Sequence, residues 1–171
     1  LQCGADSGLK RMRRHYTSTT INQLIIKICE RIPYPAIGMD VITGFPGETE
    51  EEHNQTCEFL RSLPLAYLHI FTFSKRKGTP AFDFPNQISK TIKNRRANEL
   101  SQISRELTSA YIKSLMENNI PLRGIVEKKT NGYCEFLSDH YVRVRFSGNF
   151  QPGDFVQVPS QEAQIKMKNE E

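Results

Sequence analysis

Apolar residues repeat with helical spacing in the first part of this chain and with strand spacing in the last part. Between Thr20 and Ile32, isoleucine and leucine recur at i, i+3 and i+4, which predicts a helix that Pro33 stops. A shorter helix is expected before it, at about residues 7–14. From Leu122 onward the repeat changes to two residues, which is typical of strands.

One stretch combines a strand, a sharp turn and a helix start. Residues 37–43 are an apolar run of strand length, and the turn sequence Gly-Phe-Pro-Gly follows at 44–47. Thr49 and Glu52 have the spacing of a capping box, so the next helix should begin at Thr49 and reach about Ser62. In open α/β and barrel folds, ligands bind where strands pass into such turns.

A further strand and a long helix follow. Residues 68–73 predict the strand, a basic loop with Gly and Pro comes next, and Ser89 is expected to cap the helix. Residues 1–6 have the pattern of a strand end and a turn, so the element order is β, α, β, α, β. The inward face of the long helix is predicted to consist of Leu100, Ile103, Leu107, Ala110 and Ser114.

The predicted fold class is therefore α/β, followed by a small all-β module. We expect an α/β domain at residues 1–120, an all-β domain at 121–160, and a polar tail at 161–171 that is frayed or derived from a tag. The all-β part suggests a small barrel of the oligonucleotide-binding kind. Its expected strands are residues 125–126, 133–136, 141–146 and 155–158.

The α/β part cannot be a complete fold by itself. Two or three parallel strands with helices leave one sheet face and one edge uncovered. The first residue is Leu1, so we expect this chain to be cut from something longer. An alternative cover for the edge is self-association of the chain, by pairing or swapping.

The composition is that of a globular protein without a membrane span, with 37% hydrophobic and 25% charged residues among 171. No signal peptide is visible. The four cysteines form no C-x-x-C pair, which argues against a zinc or iron-sulfur site built from this chain alone. We expect idle or buried thiols in a reducing compartment, and hence a cytoplasmic protein.

Positive charge is concentrated in two runs. One is residues 10–14, and the other extends from Lys75 to Arg96, where seven bases face only Asp83. Such runs suit a polyanion such as RNA, and a solvated cationic face is the alternative.

Several motifs, taken in order, resemble one known family. They are L-Q-C-G-A-D-S-G-L-K-R-M-R-R-H-Y-T at 1–17, D-V-I-T-G-F-P-G-E-T-E-E-E at 40–52 and L-H-I-F-T-F-S-K-R-K-G-T-P-A at 68–81. With the terminal β module, they resemble the C-terminal half of a radical S-adenosylmethionine methylthiotransferase ending in the RNA-binding module TRAM. The motifs M-R-R-H-Y-T at 12–17 and S-K-R-K-G-T-P-A at 74–81 most resemble the branch that acts on threonylcarbamoyladenosine beside the tRNA anticodon. The branches that act on isopentenyladenosine or on a ribosomal protein are less similar.

The resemblance implies a fold and a set of cofactors. The α/β part would be the C-terminal half of a six-stranded partial (β/α) barrel, and the β module a TRAM or OB-like barrel. S-adenosylmethionine would be the cofactor, together with iron-sulfur clusters (4Fe-4S) whose cysteine ligands are absent from this chain. The partner would be tRNA, with no membrane involved. The chain alone is then expected to be inactive.

The resemblance also implies cofactor-binding residues. Gln2 and Asp40, both at strand ends, would hydrogen-bond the ribose hydroxyls, and Arg14 would pair with the methionine carboxylate. Ile42 and Gly44 would lie against the adenine, with Gly44 leaving room for the ring. The alternatives are a turn residue at Asp40, a surface base at Arg14 and a terminal residue at Gln2.

RNA contacts are expected in two places. The loop carrying Lys75, Arg76 and Lys77 follows a strand and could reach phosphates. In the β module, Tyr141, Arg143 and Arg145 alternate with Val142, Val144 and Phe146, so that one set faces RNA and the other the core. A solvated strand face is the alternative, since the family usually has a Gly-x-Thr-x-Asn-Tyr-like stretch where this chain has residues 136–141.

Two classes of function follow. The leading hypothesis is a tRNA methylthiotransferase, and the competing one is a non-catalytic RNA-binding protein. A radical enzyme with a small-molecule substrate is a third possibility, but it would leave the β module without a role.

Overall fold

The computed structural model describes residues 2–167 and is a mixed α/β protein. Two short 3₁₀ helices, Pro80–Phe82 and Ser160–Glu162, accompany the regular elements. No helix in residues 2–167 has both the length and the apolar character needed to cross a membrane. The helices and strands, in chain order, are α1 (Asp6–Arg11), α2 (Ser18–Arg31), β1 (Gly38–Thr43), α3 (Glu50–Ser62), β2 (Tyr67–Thr72), α4 (Lys90–Glu117), β3 (Pro121–Ile125), β4 (Lys128–Thr130), β5 (Tyr133–Leu137), β6 (Val142–Ser147), β7 (Phe155–Pro159) and β8 (Gln164–Met167).

The described chain forms two compact units. The first contains residues 2–33 and 37–107, and the second contains residues 34–36 and 108–167. Helix α4 contributes its N-terminal part to the first unit and its C-terminal part to the second.

The sheet of the first unit is a parallel pair. β1 and β2 run in register with Asp40 opposite His69 and Ile42 opposite Phe71. On the other side of β1, the Ile42 N–H donates to the carbonyl oxygen of Gln2 at 2.9 Å. The chain around Gln2 therefore lies beside β1, but within residues 2–167 it is not itself a strand. The described elements of this unit run α1, α2, β1, α3, β2, where the sequence predicts β, α, β, α, β.

Helices cover one face of this sheet. Met39, Val41 and Thr43 alternate inward along β1, as a strand covered on one side requires. A connected apolar core lies beneath them, and burying each large aliphatic side chain in it contributes about 1.5–3 kcal/mol. Its buried members are Ile25, Met39, Val41, Cys57, Leu60, Leu63, Leu65, Leu68, Leu100 and Ile103.

The start of α3 confirms the predicted capping box. The Thr49 side chain accepts from the Glu52 N–H at 3.1 Å, and the Glu52 carboxylate accepts from the Thr49 N–H at 3.1 Å. Glu52 also accepts hydrogen bonds from Ser7 and Arg11 of α1. Burial raises the pKa of the Glu52 carboxyl group, but these hydrogen bonds outweigh burial and the net pKa is lowered.

The predicted inward face of α4 is correct at its start and wrong at Ala110. Leu100 and Ile103 are fully buried, whereas Ala110 is exposed. The buried positions that follow are Thr108, Tyr111 and Leu115. The buried stripe shifts by one residue at the point where α4 passes from the first unit to the second, so a single helical repeat cannot describe it.

The second unit consists of antiparallel ladders. β3 pairs with β7, and a four-stranded sheet has the order β4-β5-β6-β8. Val142, Val144 and Phe146 of β6 are buried, which confirms the predicted alternation on that strand. Within residues 2–167, these ladders do not join into a closed barrel.

The expected polar tail after Ser160 is wrong for four residues. Gln164–Met167 form β8, which pairs with β6 so that Val144 lies opposite Ile165. Ile165 and Met167 alternate inward, and Met167 is 2% exposed, so this segment has a strand pattern that its polar neighbours obscure. The remainder of the predicted tail lies outside the described residues.

Candidate ligand-binding face

The face of the β1–β2 sheet that the helices do not cover collects polar and aromatic side chains. Asp40 is exposed and Ile42 half-buried on this face, because both alternate with the buried residues of β1. From β2, His69 stands opposite Asp40 and Phe71, 53% exposed, stands opposite Ile42. The register of a parallel pair thus sets a carboxylate beside an imidazole and an isoleucine beside a phenyl ring. We call this surface the ligand-binding face.

The Tyr67 and His69 rings form a pair at the end of the ligand-binding face where β1 and β2 begin. A Cβ at Gly38 would lie 2.2 Å from the Tyr67 ring, so this ring rests directly on the glycine backbone. The Tyr67 and His69 rings meet edge to face with centroids 5.1 Å apart. This contact restricts the imidazole next to Asp40 to one side.

Gln2 borders the same strand from its other side. Its backbone is held by Ile42, as described above, and its side-chain oxygen accepts a hydrogen bond from the Tyr16 hydroxyl. The amide group of Gln2 also carries two N–H donors. The structure therefore brings three of the predicted cofactor-binding residues, Gln2, Asp40 and Ile42, together on β1 and its neighbour.

Arg14 is connected to this region by the backbone that leads to Tyr16. It lies in the turn after α1, is exposed, and donates its backbone N–H to the Leu9 carbonyl at 2.9 Å. Arg13 before it has a φ of 55°, which turns the chain out of the helix. Arg14 precedes the Gln2 partner Tyr16 by two residues, a span of about 7 Å at most.

The turn after β1 is held by a buried ion pair. Gly44 has a φ of 74°, a conformation that favours glycine, and its N–H donates to Oε2 of Glu48 at 2.6 Å. The same oxygen accepts from Nη1 of Arg96 at 2.7 Å, with both charged side chains about 95% buried. Arg96 also donates to the Glu48 carbonyl at 3.2 Å. Helix α4 thus fixes the turn that follows the ligand-binding face.

The space over Gly44 is filled by Lys93. A Cβ at Gly44 would lie 2.4 Å from the Lys93 Cγ, so the lysine stem packs where we expected room for an adenine ring. The Lys93 ammonium group donates to the Phe73 carbonyl at 2.8 Å and lies 5.2 Å from that ring's centroid. Burial, together with the charge of nearby Lys75, lowers the pKa of Lys93. Gly44 is therefore needed for the turn and for Lys93.

The predicted basic loop is exposed. Lys75, Arg76 and Lys77 all point to solvent, and the Lys75 ammonium group lies 5.6 Å from the centroid of the Phe82 ring. Gly78, with a φ of 81°, turns the chain, and Thr79 donates its N–H and hydroxyl to the Arg76 carbonyl. The loop is closed by its own backbone and presents its cations outward.

The second unit presents arginines on the outer face of its four-stranded sheet. Arg143 pairs with Glu127 at 2.9 Å, and the Arg145 guanidinium lies 4.4 Å from the centroid of the Tyr133 ring. A groove of about 270 Å³ runs beside them, lined by Glu135, Arg143, Val144, Arg145, Gln164, Lys166 and Met167. A planar cation stacked on an exposed aromatic ring is a surface on which a nucleobase can stack.

Tyr141 does not share the strand pattern of these arginines. It precedes β6 with a φ of 58°, so the alternation that we extended to it begins only at Val142. Tyr133, directly opposite Ser147 in the register of β5 and β6, supplies the aromatic ring on this face instead. The turn at 139–141 explains the difference, because it breaks the two-residue repeat.

Several site residues escaped the sequence reasoning. His69 and Phe71 belong to a strand that we predicted, and pairing it in register with β1 would have placed both on the open face. Tyr16, Lys93 and Tyr133 carry no local signal, since their roles depend on partners distant in the chain.

The chain is similar in sequence to several known enzymes. No family model matches the chain. It is 36% identical over 152 residues, 86% of its length, to the threonylcarbamoyladenosine tRNA methylthiotransferase MtaB of Bacillus subtilis, of which it covers 34%. It is 34% identical over 95% of its length to the ribosomal protein uS12 methylthiotransferase RimO of Lachnoclostridium phytofermentans, of which it covers 39%.

A third relative matches a shorter part. The tRNA-2-methylthio-N(6)-dimethylallyladenosine synthase of Arthrobacter sp. is 43% identical over 103 residues, which are 60% of this chain and 20% of that protein. The chain thus spans between a fifth and two fifths of the length of these relatives. All three carry names of enzymes that attach methylthio groups, and by this similarity the chain belongs to the methylthiotransferase family and corresponds to the C-terminal region of its members.

Proposed function

We propose that this chain is part of a tRNA methylthiotransferase that modifies threonylcarbamoyladenosine beside the anticodon. The match to the Bacillus subtilis enzyme of that name, at 36% identity over 86% of the chain, supports this substrate together with the motifs at 12–17 and 74–81. The relatives named for dimethylallyladenosine and for protein uS12 supply the two alternative substrates. In this proposal the chain contributes part of the cofactor site and part of the tRNA site.

The single observation that supports the cofactor site is the composition of the ligand-binding face. Asp40, exposed at the middle of β1, offers a carboxylate that can accept hydrogen bonds from two ribose hydroxyls at once. Gln2, on the neighbouring segment, offers amide donors. Ile42 and Phe71 supply apolar surface for a base. A carboxylate and an apolar surface on one open face, with an amide group on the neighbouring segment, fit the nucleoside half of S-adenosylmethionine.

The other residues would hold and orient the cofactor. In this proposal, Arg14 pairs with its methionine carboxylate, for which a guanidinium group gives two parallel hydrogen bonds. The Tyr16 hydroxyl holds the Gln2 side chain, and Tyr67 holds the His69 ring beside Asp40. S-adenosylmethionine would supply the radical chemistry and the methyl group, while these residues bind it and exclude water.

The iron-sulfur clusters of this family do not fit the residues of this chain. A cluster needs several cysteine thiolates that converge on it. Cys3, Cys29, Cys57 and Cys134 lack the C-x-x-x-C-x-x-C spacing, and three of them are buried. We therefore assign no cluster to this chain.

Recognition of tRNA is proposed at two surfaces. The loop Lys75, Arg76 and Lys77 presents exposed cations suited to phosphates. The outer face of the four-stranded sheet, with Arg145 stacked on Tyr133, suits an unpaired base. We propose that this second unit is the TRAM-like module of the family.

The test replaces Asp40 by asparagine in the complete, cluster-loaded protein. Asparagine keeps the size of the side chain and removes the charge and one acceptor. We expect S-adenosylmethionine binding, measured by equilibrium dialysis, to weaken at least tenfold, and the methylthio nucleoside to disappear from tRNA digests analysed by mass spectrometry. Asp83→Asn, at an exposed aspartate of the basic loop region, is the matched control and should bind normally.

Two outcomes would count against the proposal. Unchanged binding and activity in Asp40→Asn would reject the ligand-binding face as the cofactor site. Normal wild-type turnover on dimethylallyladenosine or on protein uS12, with none on threonylcarbamoyladenosine, would reject the proposed substrate and leave the cofactor site standing.

A further inference from the structure

Three side chains of different ligand chemistry meet between α3 and α4, away from the ligand-binding face. His53 and Cys57 lie one turn apart on α3, and Glu99 reaches them from α4. Nε2 of His53 is 2.6 Å from Oε2 of Glu99 and 3.6 Å from Sγ of Cys57. The three atoms all lie within 4.8 Å of one another. An imidazole nitrogen, a thiol sulfur and a carboxylate oxygen therefore converge on one point.

The local structure holds this cluster in place. Residues four apart on a helix share a face, so His53 and Cys57 project together toward α4. His53 is 1% exposed and its ring is fixed by packing. Arg95 donates to Oε1 of Glu99 at 2.8 Å, which leaves Oε2 for the cluster. The glutamate side chain is 42% exposed, so water and small ions have access from its side.

A hydrogen bond between His53 and Glu99 does not explain Cys57. The imidazole already has its partner in the carboxylate, and a thiol added beside the same nitrogen gains little from it. Burying the His53 imidazole at 1% exposure also carries a desolvation cost that an aliphatic side chain would avoid. A bound ion would make all three groups partners of one centre.

We propose that His53, Cys57 and Glu99 bind one divalent transition-metal ion of the Zn²⁺ type, with water as a fourth ligand. Zinc accepts nitrogen, thiolate and carboxylate ligands at about 2.0–2.3 Å, which sets tetrahedral ligand atoms about 3.3–3.7 Å apart. The separation of Nε2 and Sγ already has this value. The separation of Nε2 and Oε2 has to open by about 1 Å or less, which a rotation of the half-exposed glutamate provides.

The site was missed in the sequence because only cysteine pairs were considered. A histidine followed four residues later by a cysteine on a predicted helix is a two-ligand motif, and its third ligand lies 42 residues further on, on another helix. This proposal does not rest on the proposed function. Each can fail without the other.

The test is a titration of the purified protein with Co²⁺ under anaerobic conditions. A thiolate ligand in tetrahedral geometry gives an intense charge-transfer band in the near ultraviolet and strong visible d–d bands. We expect one equivalent of Co²⁺ to produce both, and Zn²⁺ to abolish them by displacement. In Cys57→Ser the charge-transfer band from this equivalent should disappear. Cys29→Ser, at a half-buried thiol on α2, is the matched control and should keep it.

A second variant guards against a folding defect in Cys57→Ser. Glu99→Gln alters a half-exposed side chain, should fold normally, and is expected to weaken Co²⁺ binding at least tenfold while the thiolate band persists at saturation. Glu106→Gln, exposed on the same helix, should bind like the wild-type protein. Co²⁺ bound at other sites contributes equally to the spectra of wild type and variant, so it does not affect the difference between them. Equal Co²⁺ spectra in Cys57→Ser and wild type, or equal affinity in Glu99→Gln, would overturn the proposal.

Discussion

The buried pair of Arg96 and Glu48 should be among the most sensitive points of the first unit. Arg96→Met removes three hydrogen bonds, two to Glu48 at 2.7 and 3.2 Å and one to Glu50 at 3.1 Å. Glu48, 5% exposed at its side chain, is then a buried carboxylate whose remaining hydrogen-bond partner within residues 2–167 is the Gly44 N–H. Breaking a buried pair in this way costs about 3–5 kcal/mol, and the surviving Gly44 hydrogen bond favours the lower end.

The adjacent arginine provides a matched control. Arg95 pairs with Glu50 at 2.7 Å, but both side chains are about half exposed and screened by water, so Arg95→Met should destabilise the fold far less than Arg96→Met. Adding Glu48→Gln to Arg96→Met should restore at least about 1 kcal/mol, because a neutral amide oxygen still accepts from Gly44 and no unpaired charge remains.

Urea unfolding followed by far-ultraviolet circular dichroism measures these differences. The chain contains no tryptophan, so backbone dichroism is a more direct probe than fluorescence. The comparison is valid if the denaturant slope is the same in all variants. Equal costs for Arg96→Met and Arg95→Met, within about 0.5 kcal/mol, would refute the reasoning that burial decides the value of these pairs.

Two further predictions concern acid stability and tRNA binding. Because Arg11 and its neighbours lower the pKa of Glu52, this group stabilises the fold above the pKa of an unfolded glutamate and loses that effect as the pH falls through the folded value. Glu52→Gln should therefore be less stable than wild type at pH 7 in urea unfolding, with a difference that shrinks toward acid pH, and a constant difference would contradict this. Arg143→Gln with Arg145→Gln should weaken tRNA binding in filter assays and reduce the slope of log K against log salt by about 1.5. Lys113→Gln, exposed on α4, should leave the slope unchanged, and an unchanged slope in the double variant would contradict a contribution of these two arginine charges to tRNA binding.

Local signals predicted most elements of the first unit. The capping box at Thr49 placed the start of α3 correctly, because its two hydrogen bonds involve residues only three apart. The strand at 38–43 and the end of the helix before Pro33 were likewise predictable, because their signals come from adjacent residues. Such features depend on short-range geometry, and the sequence alone contains all of it.

Features that depend on distant partners were not predictable. Lys93 fills the space over Gly44 from a helix about 50 residues away, so a glycine that suggested room for a ligand instead accommodates a lysine stem. Tyr133 replaces Tyr141 on the outer sheet face because a turn with positive φ interrupts the alternation. In both cases the local sequence pattern was identified correctly, but the residue that fills the position is set by tertiary contacts that the sequence pattern does not contain.

The position of Lys93 has a mechanical consequence. Its aliphatic stem rests on the residue after β1, and its ammonium group is bound to the carbonyl of Phe73, the residue after β2. One side chain from α4 therefore connects the C-terminal ends of both parallel strands. The ends of β1 and β2 can separate, for example to admit a large ligand, only if this lysine first leaves its position. Helix α4 therefore limits how far the two strand ends can move apart.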